Sequence, residues 1–268
     1  MTVNWVTELI DYSGVILTRV ATDGVKYVAA FFGALAVGLL LTPLFREVAR
    51  RIGMVDQPDA RRIHQVPIPR GGGLSVFLAF HLVLGVLVLA TGGPICQEFS
   101  VFWQGRFLLA SSLLVAIGLI DDKYGMKAAV KLVGQIVVAS ILYFSGVHVG
   151  GIVVAFPPWL DYAATVFWIV GAINAFNLID GMDGLATGLA LIASVGLAGA
   201  LLFTGNSAAT LPYLVLAGAC LGFLRYNFHP ASVFLGDTGS MFLGLCVATL
   251  PLMTGSRKEL VASLGVPM

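Results

Sequence analysis

The sequence predicts an all-α fold, a polytopic bundle of helices that spans a membrane. Of its 268 residues, 58% are hydrophobic and only 11% are charged, whereas about a quarter of the residues in soluble domains are charged. The mean hydropathy is +0.95. The apolar residues form long runs separated by short polar segments, which is the pattern of consecutive transmembrane helices. The whole chain, residues 1–268, is therefore interpreted as one integral membrane domain.

About eight apolar runs are candidate spans, although several are shorter than the ~20 residues that a straight span needs. Residues 1–23 carry apolar side chains interrupted by acids, so we expect a segment that lies at the membrane interface. Residues 260–268 look like the start of a ninth span, and we expect a chain truncated inside a larger fold. The alternative is a short re-entrant or interfacial tail. The eight runs are 27–45, 74–90, 107–120, 128–143, 162–179, 185–203, 211–224 and 241–253.

Basic residues predict the orientation of these spans. One set of alternating loops holds nine lysines and arginines, and the other set (91–104, 145–160 and 205–210) holds none. By the positive-inside rule, the basic set is cytoplasmic and the N-terminus is outside. The basic, site-forming loops are 46–73, 121–127, 180–184 and 225–240.

Five aspartates fall in or beside these predicted cytoplasmic loops. Carboxylates at the end of a span are costly and need a cation, a partner or water. Magnesium uses one or two carboxylates together with phosphates and waters. The alternative for a single aspartate is ordinary helix capping, but five on one membrane face favour a metal–phosphate site. The five are Asp121, Asp122, Asp180, Asp183 and Asp237. The Asp180-x-x-Asp183 spacing places both carboxylates on one side if the turn is helical.

An arginine-rich loop precedes the second span and contains Arg61, Arg62 and His64 before a run of three glycines. Arginine binds phosphate in a bidentate manner, and a glycine-rich turn at a helix start presents backbone N–H groups to anions. The alternative is that these arginines only set topology or contact anionic lipid headgroups. Further along, the amides of Asn174 and Asn177 are expected to face the bundle interior or the cavity of the site, because amides in lipid are costly.

Taken together, residues 118–122, 174–186 and 227–240, with the 61–67 loop, resemble the polyprenyl-phosphate N-acetylhexosamine-1-phosphate transferase family. The resemblance covers roughly residues 25–268. It implies an enzyme of the bacterial inner membrane that transfers a sugar phosphate from a UDP-N-acetylhexosamine to undecaprenyl or decaprenyl phosphate and releases UMP. The resemblance further implies Mg²⁺ or Mn²⁺, an active site on the cytoplasmic face, and a role in the first membrane step of cell-envelope polysaccharide synthesis. No nucleic acid is expected as a partner, and a homodimer is a candidate assembly.

The resemblance also implies roles for individual residues. Asp237 matches the metal-ligand position, and Asp121 and Asp122 match paired acids given catalytic, metal or lipid-phosphate roles. Asp180 and Asp183 match further acids of the same site. The residues expected to bind substrate are Arg61, Arg62, His64, Asn177, Asn227 and Phe234, the last as a stacking surface for uridine.

Several alternatives remain open from the sequence. The motif wording favours the GlcNAc-1-phosphate branch, and the phospho-MurNAc-pentapeptide transferases are the alternative branch. Members of the family also carry a later His-x-His-His-like cytoplasmic loop, and this sequence ends before it, so an inactive fragment is a further interpretation. From another class, an ion-coupled secondary transporter would place its acids near the bilayer midplane and show inverted repeats.

Overall fold

Helices form nearly all of the part of the protein that the structure describes. The structure is a computed structural model, and it describes residues 5–57, 66–91, 101–150, 156–204 and 209–254. One short two-stranded ladder accompanies the helices in these ranges. The helices are α1 (Trp5–Arg51), α2 (Gly73–Thr91), α3 (Val101–Tyr124), α4 (Ala128–Tyr143), α5 (Pro158–Ile179), α6 (Leu185–Thr204), α7 (Thr210–Asn227) and α8 (Gly236–Thr254).

The predicted membrane bundle is confirmed. Six of the described helices are long and apolar enough to cross a membrane, and α4, with 16 residues, is a shorter apolar helix. Each of the eight predicted spans lies within a helix, and the predicted bounds of the fourth span, 128–143, coincide with α4. The predicted start of a ninth span, 260–268, lies outside the described residues.

The predicted boundary after residue 23 is absent, because α1 continues unbroken from Trp5 to Arg51 over 47 residues. A single glycine in a helix interior costs only about 1 kcal/mol relative to alanine. Gly24 is therefore too weak a signal to end the helix. The proline within α1, Pro43, lies in its second half.

Helix α8 occupies the centre of the bundle and packs against α2, α3, α5 and α6. Many of its side chains, including Met241, Phe242 and Leu245, are fully buried. Its first turn lies at the same end of the bundle as the last turns of α3 and α5. The five aspartates are therefore gathered around the start of the central helix, and we call this the acidic end.

Two short strands brace the chain on either side of the arginine-rich loop. Strand β1 (Val55–Asp56) pairs in antiparallel fashion with β2 (Ile68–Pro69). Buried Asp56 forms an ion pair with Arg70 just after β2. Between the strands, residues 58–65 are not described, so the predicted roles of Arg61, Arg62 and His64 stay predictions.

Helices α1 and α7 approach each other closely through glycines. A Cβ atom added at Gly222 would lie 2.6 Å from the Leu35 carbonyl oxygen and 3.1 Å from the Leu39 backbone nitrogen. An atom added at Gly218 would overlap the Phe31 carbonyl oxygen. Small residues at helix crossings are the usual way in which membrane helices gain packing contacts without a hydrophobic driving force.

Replacing Gly222 with alanine tests this contact. Because the new methyl group would overlap the α1 backbone, we expect Gly222→Ala to destabilise the protein by about 1–3 kcal/mol, seen as a lower thermal unfolding midpoint in detergent. Gly196→Ala on α6 is the matched control, since no atom lies within 4 Å of a Cβ added there. Equal midpoints for the two variants would contradict the close α1–α7 contact.

Candidate active site

The carboxylate of Asp122 caps the N-terminus of α8. Its Oδ1 accepts a hydrogen bond from the backbone N–H of Asp237 (2.9 Å), and its Oδ2 accepts from the N–H (3.1 Å) and hydroxyl (2.6 Å) of Thr238. The first N–H groups of a helix have no partner within the helix, and a carboxylate is a favoured acceptor there. Asp122 is only 9% exposed, so it ties the end of α3 to the start of α8. Its predicted catalytic role stays a prediction beside this positioning role.

Glycines allow the two helices to meet at this cap. Gly236 has a φ of +73°, a conformation that favours glycine, and a Cβ added there would lie 2.5 Å from Asp122 Oδ2. A Cβ added at Gly118 on α3 would lie 2.5 Å from the Thr238 Cα atom. The sequence therefore permits α3 and α8 to pack backbone to backbone.

Lys131 of α4 joins the two carboxylates that the sequence marked as metal ligands. Its Nζ lies 3.0 Å from Asp121 Oδ2 and 2.6 Å from Asp237 Oδ2. Asp237 Oδ2 also accepts a hydrogen bond from the Asn177 side-chain amide at 3.0 Å, and Asp121 Oδ1 accepts from the Met126 N–H at 2.5 Å. Two carboxylates from different helices thus converge on one ammonium group, with Asn177 beside it, and the predicted binding role of Asn177 stays a prediction.

Lys131 was not singled out from the sequence. The signal was present, because Lys131 lies within the fourth apolar run, and a charged residue inside a span is by default a candidate functional residue. Gln135, one helical turn further along, was also missed.

The side chains of buried Gln135 and exposed Asn174 form a hydrogen-bonded pair that joins α4 to α5. The Asn174 amide donates to Gln135 Oε1 at 2.6 Å, and Gln135 is fully buried. Gln135 lies one turn from Lys131, and Asn174 lies one turn from Asn177. The pair therefore sets the register in which Lys131 and Asn177 both reach Asp237. Asn177 is half-buried and contacts Asp237, whereas Asn174 is exposed although its amide bonds to buried Gln135.

Asp180 and Asp183 have different partners. The helical turn that would place both carboxylates on one side is not formed, because α5 ends at Ile179 and Asp180 is its C-cap residue. Asp180 lies close enough to the Gly236 backbone N–H and to the carboxylates of Asp122 and Asp237 for these groups to shift its pKa. Asp183 instead accepts hydrogen bonds from the His229 Nδ1 at 2.9 Å and from the Ala231 N–H at 3.1 Å. Asp183 thus holds the loop that follows α7.

Burial is the main cause that raises the pKa of Asp180 to about 8, and the nearby negative charges of Asp122 and Asp237 contribute to the same shift. The Gly236 N–H and the positive charge of Arg70 act in the opposite direction but do not outweigh burial. Asp180 is therefore largely protonated at neutral pH when no other cation is bound nearby. A neutral carboxyl group can donate a hydrogen bond, which an ionised one cannot.

The glycine run does not present all of its N–H groups to an anion. Gly72 donates to the Phe234 carbonyl oxygen at 3.0 Å, and Gly73 donates to that of Leu235 at 2.9 Å. The prediction of phosphate binding by this run is therefore wrong for these two donors. They are used to attach the α7–α8 loop to the start of α2, and the Phe234 N–H returns a hydrogen bond to the Pro69 carbonyl at 2.8 Å.

Asn227 and Phe234 lie in the same part of the site. The Asn227 amide donates to the Val233 carbonyl at 3.1 Å, and its Oδ1 accepts from the Thr187 hydroxyl at 3.2 Å. Asn227 is 2% exposed, so it shapes the loop that carries Phe234. Contact of either residue with uridine stays a prediction.

The donor set is compatible with a divalent cation. Among the described residues, no group of three or more His, Cys, Asp or Glu side chains is placed to hold a metal ion. Magnesium needs only one or two carboxylates when substrate phosphates and waters complete its coordination. Asp121 and Asp237, whose oxygens already converge on the Lys131 ammonium group, fit that requirement.

Comparison with known proteins places the chain among membrane transferases. The family described as glycosyl transferase family 4 matches residues 105–255. A probable undecaprenyl-phosphate N-acetylglucosaminyl 1-phosphate transferase of Bacillus subtilis is 38% identical over 250 residues, covering 91% of this chain and 67% of the relative. A decaprenyl-phosphate N-acetylglucosaminephosphotransferase of Mycobacterium tuberculosis is 39% identical over 221 residues, covering 76% of this chain and 54% of the relative.

A relative of the alternative branch is also similar. The phospho-N-acetylmuramoyl-pentapeptide-transferase of Heliobacterium modesticaldum is 36% identical over 261 residues, covering 88% of this chain and 77% of that relative. The chain spans between about half and two thirds of the length of the two N-acetylglucosamine relatives. The matched family region contains all five aspartates together with Lys131.

Removing the Asp122 carboxylate should destabilise the protein, because three hydrogen bonds to the start of α8 are lost. We expect Asp122→Ala to lower the free energy of unfolding by about 2 kcal/mol or more, and Thr238→Val, which loses one of the three bonds, to cost less. Thermal unfolding in detergent micelles measures both. Wild-type stability in Asp122→Ala would contradict the capping role.

The raised pKa of Asp180 predicts a pH-dependent stability. Below about pH 4 the carboxyl group is protonated in both states, and between about pH 4 and 8 the folded state binds the proton more tightly, so stability falls as pH rises through this window. We expect the unfolding midpoint of Asp180→Asn to rise relative to wild type as the pH increases from 5 to 8.5 in a chelator.

The matched variant Asp180→Glu keeps a titratable carboxyl group and should follow the wild-type profile. A difference between Asp180→Asn and wild type that stays constant with pH would show that Asp180 titrates outside this window.

Proposed function

This chain belongs to glycosyl transferase family 4, and from that premise we propose that it transfers N-acetylglucosamine 1-phosphate from UDP-N-acetylglucosamine to a polyprenyl phosphate. The products are UMP and a polyprenyl-diphosphate-linked sugar. We propose that the reaction takes place at the cytoplasmic face of a bacterial plasma membrane, with the N-terminus outside, as the first membrane step of cell-envelope polysaccharide synthesis.

The convergence of Asp121, Asp237 and Lys131 carries this proposal. Both substrates bear phosphates, and the product-forming step moves a phosphoryl group between them. Catalysis of such a step depends chiefly on positioning and on stabilisation of negative charge. The acidic end of this bundle offers a cation of its own, two carboxylates suited to a divalent ion, and neighbouring apolar helix surfaces for a lipid chain.

The bond changes of the proposed reaction are simple. An oxygen of the lipid phosphate attacks the sugar-linked phosphorus of the UDP-sugar, and the bond from that phosphorus to the bridging oxygen breaks. The electron pair leaves with UMP. A lipid phosphate has a second pKa near 6, so its nucleophilic oxygen is largely ionised at neutral pH. Orientation of that phosphate therefore matters more than removal of a proton.

The chain's own residues have distinct parts in this scheme. The ammonium group of Lys131 offsets the repulsion between Asp121 and Asp237 and provides a donor for a phosphate oxygen. Asn177 holds the Asp237 carboxylate in place, and Asp122 fixes the helix that carries it. We propose that Asp121 and Asp237 hold Mg²⁺, or Mn²⁺, which when bound would neutralise charge on the diphosphate.

The loops around this centre would hold the donor. We propose that Arg61, Arg62 and His64 contact its phosphates and that Phe234 stacks on the uracil ring. Asp180 would lie beside these groups as a further acid of the site.

The ion-coupled transporter is disfavoured, because the acids gather at one end of the bundle and not at its midplane. The phospho-MurNAc-pentapeptide branch uses UDP-MurNAc-pentapeptide as its donor. The similarity of the N-acetylglucosamine relatives favours UDP-N-acetylglucosamine for this chain. A direct comparison of the two UDP-sugars decides between the branches.

We expect metal-dependent release of UMP when the protein in liposomes is given UDP-N-acetylglucosamine, undecaprenyl phosphate and Mg²⁺. Asp237→Asn and Lys131→Met should each lower the rate by about 100-fold or more. The matched control Asp23→Asn makes the same charge change in the first half of α1, away from the acidic end, and should keep the wild-type rate.

The assay is run on the 268-residue chain and on a version extended with the C-terminal part of the Bacillus subtilis relative. Release in either form supports the transferase. Preference for UDP-MurNAc-pentapeptide would assign the chain to the other branch, and full rates in both Asp237→Asn and Lys131→Met would overturn the proposed site.

A further inference from the structure

A groove of about 500 Å³ lies on the outer surface of the bundle between α1 and α7, apart from the acidic site. It runs beside the close α1–α7 crossing at Gly222. Apart from one residue its lining is apolar, and the lining residues are Leu35, Leu39, Leu221, Leu224, Arg225 and Phe228.

Arg225 gives this groove a charged end. It lies in the last turn of α7, so its side chain is at the edge of the apolar part of the helix. Its guanidinium group lies 6.0 Å from the centre of the Tyr226 ring, and the described residues include no carboxylate that forms a salt bridge with it. An exposed guanidinium at the mouth of an apolar groove suits an anionic amphiphile.

We propose that this groove binds an anionic phospholipid of the surrounding bilayer, with one acyl chain along the leucines and the phosphate on Arg225. Guanidinium groups bind phosphate oxygens in a bidentate manner. Basic residues at the membrane edge attract anionic headgroups, each contributing roughly fivefold in affinity near the surface. The groove supplies the apolar contact that distinguishes a specific lipid site from general surface attraction.

The position of the groove separates this lipid from the lipid substrate of the proposed reaction. Helix α7 packs against α1, α2 and α6, whereas α4, which carries Lys131, packs against α3 and α5. The groove and the Lys131–Asp237 pair therefore lie on different sides of the central helix α8. A phosphate held by Arg225 is not placed for transfer, so the occupant is a bilayer phospholipid.

The groove nevertheless contacts the turn between α5 and α6. A Cβ added at Gly184 would lie 3.1 Å from Leu224 Cδ1 and 3.6 Å from the Phe228 Cα atom. Gly184 follows Asp183, whose carboxylate accepts the His229 hydrogen bond. A lipid packed on Leu224 and Phe228 would thus support the turn that carries Asp180 and Asp183, and its binding should stabilise the folded protein.

Native mass spectrometry of the detergent-purified chain with added phosphatidylglycerol or phosphatidylcholine of matched acyl chains tests this proposal. We expect wild type to bind phosphatidylglycerol about fivefold more tightly than phosphatidylcholine, from the single guanidinium at the surface. Arg225→Gln should lose this preference, and Leu221→Trp, which fills the groove, should weaken the binding of both lipids. Thermal unfolding should show a matching loss of stabilisation by phosphatidylglycerol.

Arg50→Gln, which removes an exposed arginine from the last turn of α1, is the matched control and should keep the wild-type preference. An unchanged preference in Arg225→Gln, or an equal loss in Arg50→Gln, would overturn the proposal. If Leu221→Trp fails to fold, Leu35→Trp on the facing helix replaces it. A groove variant that converts a dimer to a monomer without changing lipid binding would assign the groove to a second copy of the chain and overturn the lipid site.

Discussion

The bond between the Asp122 carboxylate and the first N–H groups of α8 is the contact on which the site geometry depends. Unpaired backbone donors at a buried helix start would cost free energy, and Asp122 supplies acceptors for the N–H groups of Asp237 and Thr238. The same contact brings the end of α3 against the start of α8. Because Asp121 and Asp237 are neighbours of the bonded groups, the cap also delivers both carboxylates to Lys131. The contact that supplies acceptors for the first N–H groups of α8 therefore also assembles the site.

The acidic end balances its charge in several different ways. Asp121 and Asp237 share the ammonium group of Lys131, and Asp122 is stabilised by a helix N-terminus, where negative charge is favoured. Asp183 accepts a hydrogen bond from His229, whereas Asp180 takes up a proton because burial raises its pKa. Five carboxylates can thus occupy one end of a membrane bundle, and only some of them remain ionised and free to meet a cation.

Much of the fold could be predicted because its signals are local. Long apolar runs predicted the helices, and the positions of Asp121, Asp122, Asp180, Asp183 and Asp237 at the ends of those runs predicted that they would meet. The expected helix boundary after residue 23 is absent because a weak break such as Gly24 does not end a helix that is otherwise continuous, and the interfacial position of residues 1–23 stays a prediction. Lys131 was undervalued because its partners are distant in sequence, and hydrogen bonding across helices leaves no local pattern.

The sequence by itself determined that the chain is a membrane helix bundle with an acidic end, since hydropathy and charge placement act over short stretches of chain. Only the tertiary structure decided which acid does what. It assigned Asp122 to the cap of α8, separated Asp180 from Asp183, and committed the N–H groups of Gly72 and Gly73 to the α7–α8 loop. The reason is physical, because the partner of a buried polar group is set by which helices pack together, and packing joins residues far apart in the chain.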